Sequence, residues 1–471
     1  MPRILCTALS LLYIVHTVYG KYTPDWASLD SRPLPGWYDK AKVGIFMHFG
    51  PYAVPGVTSE WFWWYWTQGG KDETKYMKQY YSPEFTYQDF GPMLKMDFFN
   101  SDEFAQLVKK SGAKYFVFTS KHHDGFANFK SSHNFGWNAV DIGPKRDVVG
   151  ELKEAFNRVG GVHFGLYYSL FEWFNPLFLA DKASNFSSRD YVLTKMIPEI
   201  KELVTKYSPE IYWSDGDGGV APEIWGSKDI LAWLFNESPM KDTIVTNDRW
   251  GTGTSQKHGS FYSGPDRYNP GHILKHKFEE ALTLDKKSWG FRHEISCADV
   301  LSASELVQNV VTIVSCGGNI LINIGPTKEG TIIPIFEERL LSMGSWLKVN
   351  GEGIYDSVPW FKQNETTLEE KIPIWYTHRP DLNSVYGTLF GWPNEEEIIS
   401  IQYSTSIKND TIISLLCYHQ QPLHYEITTS PQSVKIYLPP FNKIKNSDGC
   451  FIDAIDAFML KFQTPGLKYL N

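Results

Sequence analysis

The segment Ile211-Tyr212-Trp213-Ser214-Asp215-Gly216-Asp217-Gly218-Gly219 brings a β-type apolar run to an abrupt end in a carboxylate, and its glycines let the backbone turn sharply. A carboxylate at the C-terminal end of a strand is what a barrel enzyme presents at the mouth of its site. Trp213, two residues earlier on the same strand face, would wall the pocket beside Asp215. Two plainer readings compete: a strand-end turn built of ordinary turn residues, or a Ca²⁺ loop. The D-x-D-G fragment lacks the later oxygen ligands and the closing Glu of an EF-hand loop.

Other polar residues fall at the ends of apolar runs. His48 closes the first run, Lys121-His122-His123-Asp124-Gly125-Phe126 follows the second, and Tyr167-Tyr168 lie in the third. Asn247-Asp248-Arg249-Trp250-Gly251 follows a later one, and Glu60-Trp61 could fold over the rim. Adjacent histidines on an extended segment point to opposite sides and rarely share a metal. His, Trp, Tyr, Glu and Arg gathered beside a carboxylate suit the hydroxyls and C–H faces of a sugar better.

Glycoside hydrolysis needs two carboxyl groups, about 5–5.5 Å apart when configuration is retained. Asp215, fixed on a strand, is the nucleophile candidate. The acid/base must come from a later loop, and Asp266 and Glu279 are the contenders, each with the plainer alternative of a solvated surface acid. Such an acid needs its pKa raised, by desolvation or by the charge of Asp215.

The elements that must position these groups alternate. Strand-like runs at 43–49, 115–119, 163–169, 210–214, 243–247 and 319–324 are separated by amphipathic stretches at 101–111, 147–159, 190–207, 302–314 and 336–348. Strand, helix, strand over about 300 residues argues for an α/β architecture of the (β/α)₈-barrel type, spanning 21–350. After Asn350-Gly351-Glu352-Gly353 the texture turns to short β runs split by Pro, Asn, Asp and Gly. That predicts an antiparallel β-sandwich over 351–471.

Residues 1–20 read as a secretory signal: Arg3, a short apolar stretch from Ile4 to Val15, and a cut after Gly20. No other run is long and apolar enough for a membrane span. Sequons at Asn185, Asn236, Asn364 and Asn409 agree with a secretory route. Removal of Cys6 leaves Cys297, Cys316, Cys417 and Cys450, of which Cys417 and Cys450 could pair within the C-terminal domain. A net charge of -8 suggests neither a nucleic-acid groove nor a polybasic membrane patch, while 17 Trp and 26 Tyr make carbohydrate a modest favourite.

As a set, several segments resemble the retaining α-L-fucosidase family. They are Val43-Gly44-Ile45-Phe46-Met47-His48-Phe49-Gly50, Ser59-Glu60-Trp61-Phe62, Lys121 to Phe126, Gly165-Leu166-Tyr167 with Glu172-Trp173-Phe174, Trp213-Ser214-Asp215-Gly216, Asn247 to Gly251, and Asn323-Ile324-Gly325-Pro326-Thr327. Each is weak alone, and the ordered set is specific. The resemblance implies a barrel with a C-terminal β-sandwich, removal of terminal α-L-fucose from glycans with retention, and no cofactor or metal. It puts the nucleophile on Asp215 and fucose binding on His48, Glu60, Trp61, His122, His123, Tyr167, Trp213 and Arg249. Asp266 aligns with the acid/base, one methylene shorter than the Glu of many relatives, and Glu279, in a His-Lys-aromatic-Glu motif, stands second. A secreted or lysosomal fate and a homo-oligomer are compatible with it. The rival readings are a fucose-binding protein without activity and a metal-dependent hydrolase.

Overall fold

The computed structural model describes residues 22–394, 397–402, 407–418, 421–429, 432–445 and 455–465. Residues 1–20, expected to be a signal, and Cys450 lie outside them. Seven strands run parallel: β1 (Val43–Met47), β2 (Tyr115–Lys121), β3 (His163–Ser169), β4 (Ile211–Asp215), β5 (Val245–Thr246), β6 (Glu279–Thr283) and β7 (Asn319–Ile324). Their order is β5-β4-β3-β2-β1-β7-β6. An eighth position is filled by residues 260–262. Ser260 N–H donates to the Thr246 carbonyl, Tyr262 bridges in parallel to Phe278, and Glu279 N–H donates to the Tyr262 carbonyl. The ring thus closes as a barrel with one irregular stave.

Helices cover the outside, and β1, β2, β6 and β7 are buried at every residue, as expected for strands sealed on both faces. The helices begin where side chains can take up free amides. Asn100 caps Ser101–Lys110, Asp147 caps Val148–Val159, and Ser302 with Glu305 forms a capping box before Ala303–Ser315. The stretch expected as one helix over 190–207 contains a π turn at Val192–Met196 ahead of Ile197–Tyr207. That turn carries Lys195 inward to Glu172 and Glu199, and its Nζ lies 2.8 Å from Glu199.

The strand β6 corrects a sequence expectation. Its first residue, Glu279, pairs with Asn319 at the start of β7, so it enters the barrel from the N-terminal end, away from the strand ends that bear a site. There its carboxylate accepts from Tyr38 Oη at 2.6 Å, Tyr115 Oη at 2.7 Å and Trp213 Nε1 at 3.0 Å. Glu279 is 1% exposed, a buried floor group rather than a loop acid.

The C-terminal part forms two antiparallel sheets. One comprises β8 (Val358–Thr366), β9 (Pro373–Arg379), β10 (Ser384–Leu389), β12 (Ile412–Leu415) and β15 (Phe458–Gln463); the other comprises β11 (Ile398–Ile401), β13 (Tyr425–Thr429) and β14 (Gln432–Tyr437). Ile374, Val385 and Phe462 of the first share one apolar cluster with Ile399, Ile401 and Val434 of the second, which is the packing of a sandwich. The helix Pro334–Asn350 joins the two parts, and Trp346 Nε1 donates to the Ala457 carbonyl at 2.8 Å.

Cys417 is disulfide-bonded, and Cys297 and Cys316 are free thiols. Asn185, Asn364 and Asn409 are exposed, whereas Asn236 is half-buried and its amide donates to the carbonyls of Tyr22 and Ala232. No helix among the described residues is long and apolar enough to cross a membrane.

Gly44 in β1 shows how tightly the floor is built. A Cβ there would lie 2.3 Å from the ring of Tyr115, which cannot withdraw without losing Glu279. Gly44→Ala should destabilise the fold by about 1–3 kcal/mol, read as a lowered urea midpoint; an unchanged midpoint would mean that the floor yields easily.

Candidate active site

At the opposite end of the barrel, a cavity of about 270 Å³ opens above the strand ends, a volume on the scale of one sugar ring. It is lined by His48, Glu60, Trp61, His122, His123, Tyr167, Trp213, Asp215, Arg249 and Asp266, joined by Phe46, Phe171, Trp173, Asp217, Gly218 and Trp289. Every residue expected to touch sugar therefore lines one cavity, and Glu279 does not.

Asp215 ends β4 and receives three neighbours. Tyr167 Oη donates to Oδ2 at 2.7 Å, His123 Nε2 lies 3.4 Å from the same oxygen, and Arg249 Nη1 stands 3.8 Å from Oδ1. Burial pushes the Asp215 pKa above the ordinary carboxylate range, with Arg249 and the Tyr167 hydroxyl pulling it back only in part.

Arg249 lies across the face of Trp213, with its guanidinium carbon 4.9 Å from the ring centroid. Nη2 donates to Asp266 Oδ1 at 2.5 Å and to the Gly264 carbonyl at 3.0 Å, and Nε donates to Ser263 Oγ at 3.1 Å. Burial raises the Asp266 pKa, but Arg249 outweighs it, so the group titrates below the usual aspartate value. This reverses the sequence expectation of a raised acid, because the ion pair with Arg249 was not visible in the local sequence. Asp266 is also the more open of the two carboxylates, its side chain 40% exposed against 17% for Asp215.

The histidines are neutral. Burial drives His48 and His123 down to about 3 and His122 well below its ordinary value. His48 Nδ1 meets Asn323 Oδ1 at 2.7 Å, and His123 Nδ1 meets Ser169 Oγ at 2.6 Å. His122 Nδ1 is buried without a hydrogen-bond partner among the described residues. Neutral imidazoles of this kind can donate to or accept from hydroxyls without adding charge.

Glu60 reaches the cavity from the long segment after β1. Its Oε2 accepts from the backbone N–H groups of Trp289 and Gly290, both at 3.0 Å, and burial raises its pKa. The turn 289–290 is in turn pressed against Gly325, where a Cβ would lie 2.6 Å from Phe291 N and 2.7 Å from Gly290 C. This explains physically why glycine occupies that place in Asn323-Ile324-Gly325-Pro326. On the other wall, Trp61 packs edge-on against Trp173, with centroids 4.6 Å apart.

Trp289 was missed by sequence reasoning because β6, whose end delivers it, went unrecognised. Among the described residues, no group of three or more His, Cys, Asp or Glu side chains is arranged to hold a metal ion.

The profile of the α-L-fucosidase family matches residues 12–352, and that of its C-terminal domain matches residues 363–452. The chain belongs to the α-L-fucosidase family. This family member is 49% identical over 420 residues to the human plasma α-L-fucosidase, covering 89% of each chain. It is 52% identical over 381 residues to the α-L-fucosidase of Branchiostoma floridae, covering 80% of this chain and 84% of that one. Among solved structures, the Thermotoga maritima α-fucosidase in complex with fucose superimposes with a TM-score of 0.77 at 29% identity, over 94% of this chain and all of the other.

The floor supplies a test. Removing the Glu279 carboxylate strands three buried donors, so Glu279→Ala should cost several kcal/mol or fail to fold. Glu279→Gln keeps an acceptor for Trp213 and should retain much of the activity, with an unaltered pH profile. Rescue of Glu279→Gly by azide would instead give this residue the proton-transfer role.

Proposed function

We propose that this chain is an exo-acting, retaining α-L-fucosidase that removes terminal α-L-fucose from glycans, with Asp215 as nucleophile and Asp266 as acid/base. The observation that carries the assignment is the single guanidinium of Arg249, which contacts one carboxylate at the end of β4 and a second at the cavity mouth. Sharing one guanidinium keeps both carboxylates at one cavity, which the double displacement requires. The floor below Trp213 is closed by Tyr38, Tyr115 and Glu279, which supports action on a chain end rather than on an internal unit.

In the first step an Asp215 oxygen attacks the anomeric carbon as the glycosidic bond breaks. The departing oxygen takes the proton of Asp266, leaving a β-linked fucosyl ester. In the second, Asp266 removes a proton from water, which attacks the same carbon, releases Asp215 and restores the α configuration. His48, His122, Glu60, Trp61 and Arg249 would hold the sugar hydroxyls and strengthen as oxocarbenium character develops. The presence of both carboxylates in the cavity weighs against a binding protein without activity. A cleaved signal ending at Gly20 and a secreted or lysosomal fate fit relatives named plasma and tissue α-L-fucosidase. The boundary at 350/351, where the long helix ends, and a homo-oligomer belong to the same reading.

Azide reads out both roles. On 4-nitrophenyl α-L-fucoside, Asp215→Gly should lose at least about 10³-fold in kcat, with azide then yielding the β-fucosyl azide. Asp266→Gly should stall at the ester and, with azide, yield the α-fucosyl azide. The same products from neither variant would remove these assignments.

The pKa directions add a pH expectation. Attack needs Asp215 ionised although its pKa is raised, and departure needs Asp266 protonated although its pKa is lowered. The working pair is therefore a minority protonation state whose apparent pKa values belong to both groups. A bell-shaped kcat/KM profile with an acidic optimum is expected; a plateau through neutral pH would place the donor elsewhere.

A further inference from the structure

Two residues beyond the proposed nucleophile, Asp217 faces the same cavity and is not among the groups assigned above to the terminal sugar. Its loop is fixed on both sides of the turn. Gly216 N–H donates to the Arg249 carbonyl at 3.0 Å, and Trp225 Nε1 donates to the Gly216 carbonyl at 2.9 Å. Gly218 lies against the Phe171 ring, 3.6 Å from where its Cβ would stand. Unlike Asp215 and Asp266, the Asp217 carboxylate forms no ion pair and accepts no side-chain hydrogen bond among the described residues. Partial burial and the neighbouring Asp215 raise its pKa against the pull of Arg249.

A half-buried carboxylate bonded only to its own backbone N–H invites a ligand donor. The lip on which it sits also carries an uneven charge. Among the described residues, Arg249 is the only cation lining the cavity, engaged by Asp266 and close to Asp215; Arg267 stands outside the lining, over the Trp289 ring and bonded to Thr283 Oγ1, and the lining histidines are neutral. When Asp266 holds its proton and the bound sugar covers Asp215, Asp217 is the charge left facing the leaving group.

We infer that Asp217, with the aromatic faces of Phe171 and Trp173, forms a leaving-group subsite for a neutral saccharide and discriminates against acidic ones. The inference rests on the proposed fucosidase reading. A hydroxyl of the second sugar donates to Asp217 and its C–H face packs on the rings, whereas a sulfate or carboxylate on that sugar is repelled by Asp217.

The test compares kcat/KM for an α-L-fucosyl disaccharide with a neutral second sugar against its analogue sulfated on that sugar. 4-Nitrophenyl α-L-fucoside serves as the reference. The wild type should prefer the neutral disaccharide by roughly tenfold or more at low salt, and the preference should shrink as salt screens the lip. Asp217→Asn should bring the ratio close to one, and Asp217→Glu, which keeps the charge, should preserve it. A wild-type ratio near one, or a ratio unmoved in Asp217→Asn, overturns the subsite while turnover of the aryl fucoside leaves the fucosidase reading standing. Failure of the wild type to cleave any of the three overturns both.

Discussion

The site depends on one cation shared between acids. Arg249 rests on the indole of Trp213 and reaches Asp215 with one terminal nitrogen and Asp266 with the other. In a pocket where every histidine is discharged by burial, this guanidinium is the charge that lets two carboxylates coexist out of water. Without it, desolvation and mutual repulsion would drive at least one of them to hold a proton permanently. The same cation that makes the pair tolerable also biases it, easing the proton off Asp266 while burial holds Asp215 up.

The guanidinium is positioned from below. Trp213 is tied through Nε1 to Glu279, and Glu279 is tied to tyrosines that precede β1 and begin β2. A buried carboxylate satisfied by three neutral donors is an anchor rather than a reactive group, since each donor lowers the cost of its burial. The chemistry at one end of the barrel is therefore braced by a polar cluster at the other, with an aromatic ring as the strut between them.

Much of this arrangement is legible in the sequence because it follows from periodicity. The strands at 163–169 and 319–324 have the expected bounds, and His48, His123, Asp215 and Arg249 converge because parallel strands deliver their C-terminal ends to one side. What stays hidden is non-local. β6 begins Glu279-Glu280, a pair that reads as exposed until the tyrosine hydroxyls from distant segments are supplied. β5 falls inside the run expected at 243–247, whereas the strand 358–366 carries Pro359 at its second position and is polar through its second half, with no clear alternation to detect. The Arg249–Asp266 pair likewise joins a strand-end motif to an irregular loop, and nothing local fixes their distance.

The irregular stave between β5 and β6 carries a mechanical consequence. Where the other strands are laced by ladders, this sector is joined by a handful of isolated bonds around 246, 260–262 and 278–279. The loop that bears Asp266 hangs from that seam, while Asp215 is riveted to the continuous side of the ring. Local opening of the barrel, which follows the weakest lacing, would therefore swing Asp266 away from a stationary Asp215. The two carboxylates are built on ground of unequal stiffness, and amide exchange along the seam would report the softer side directly.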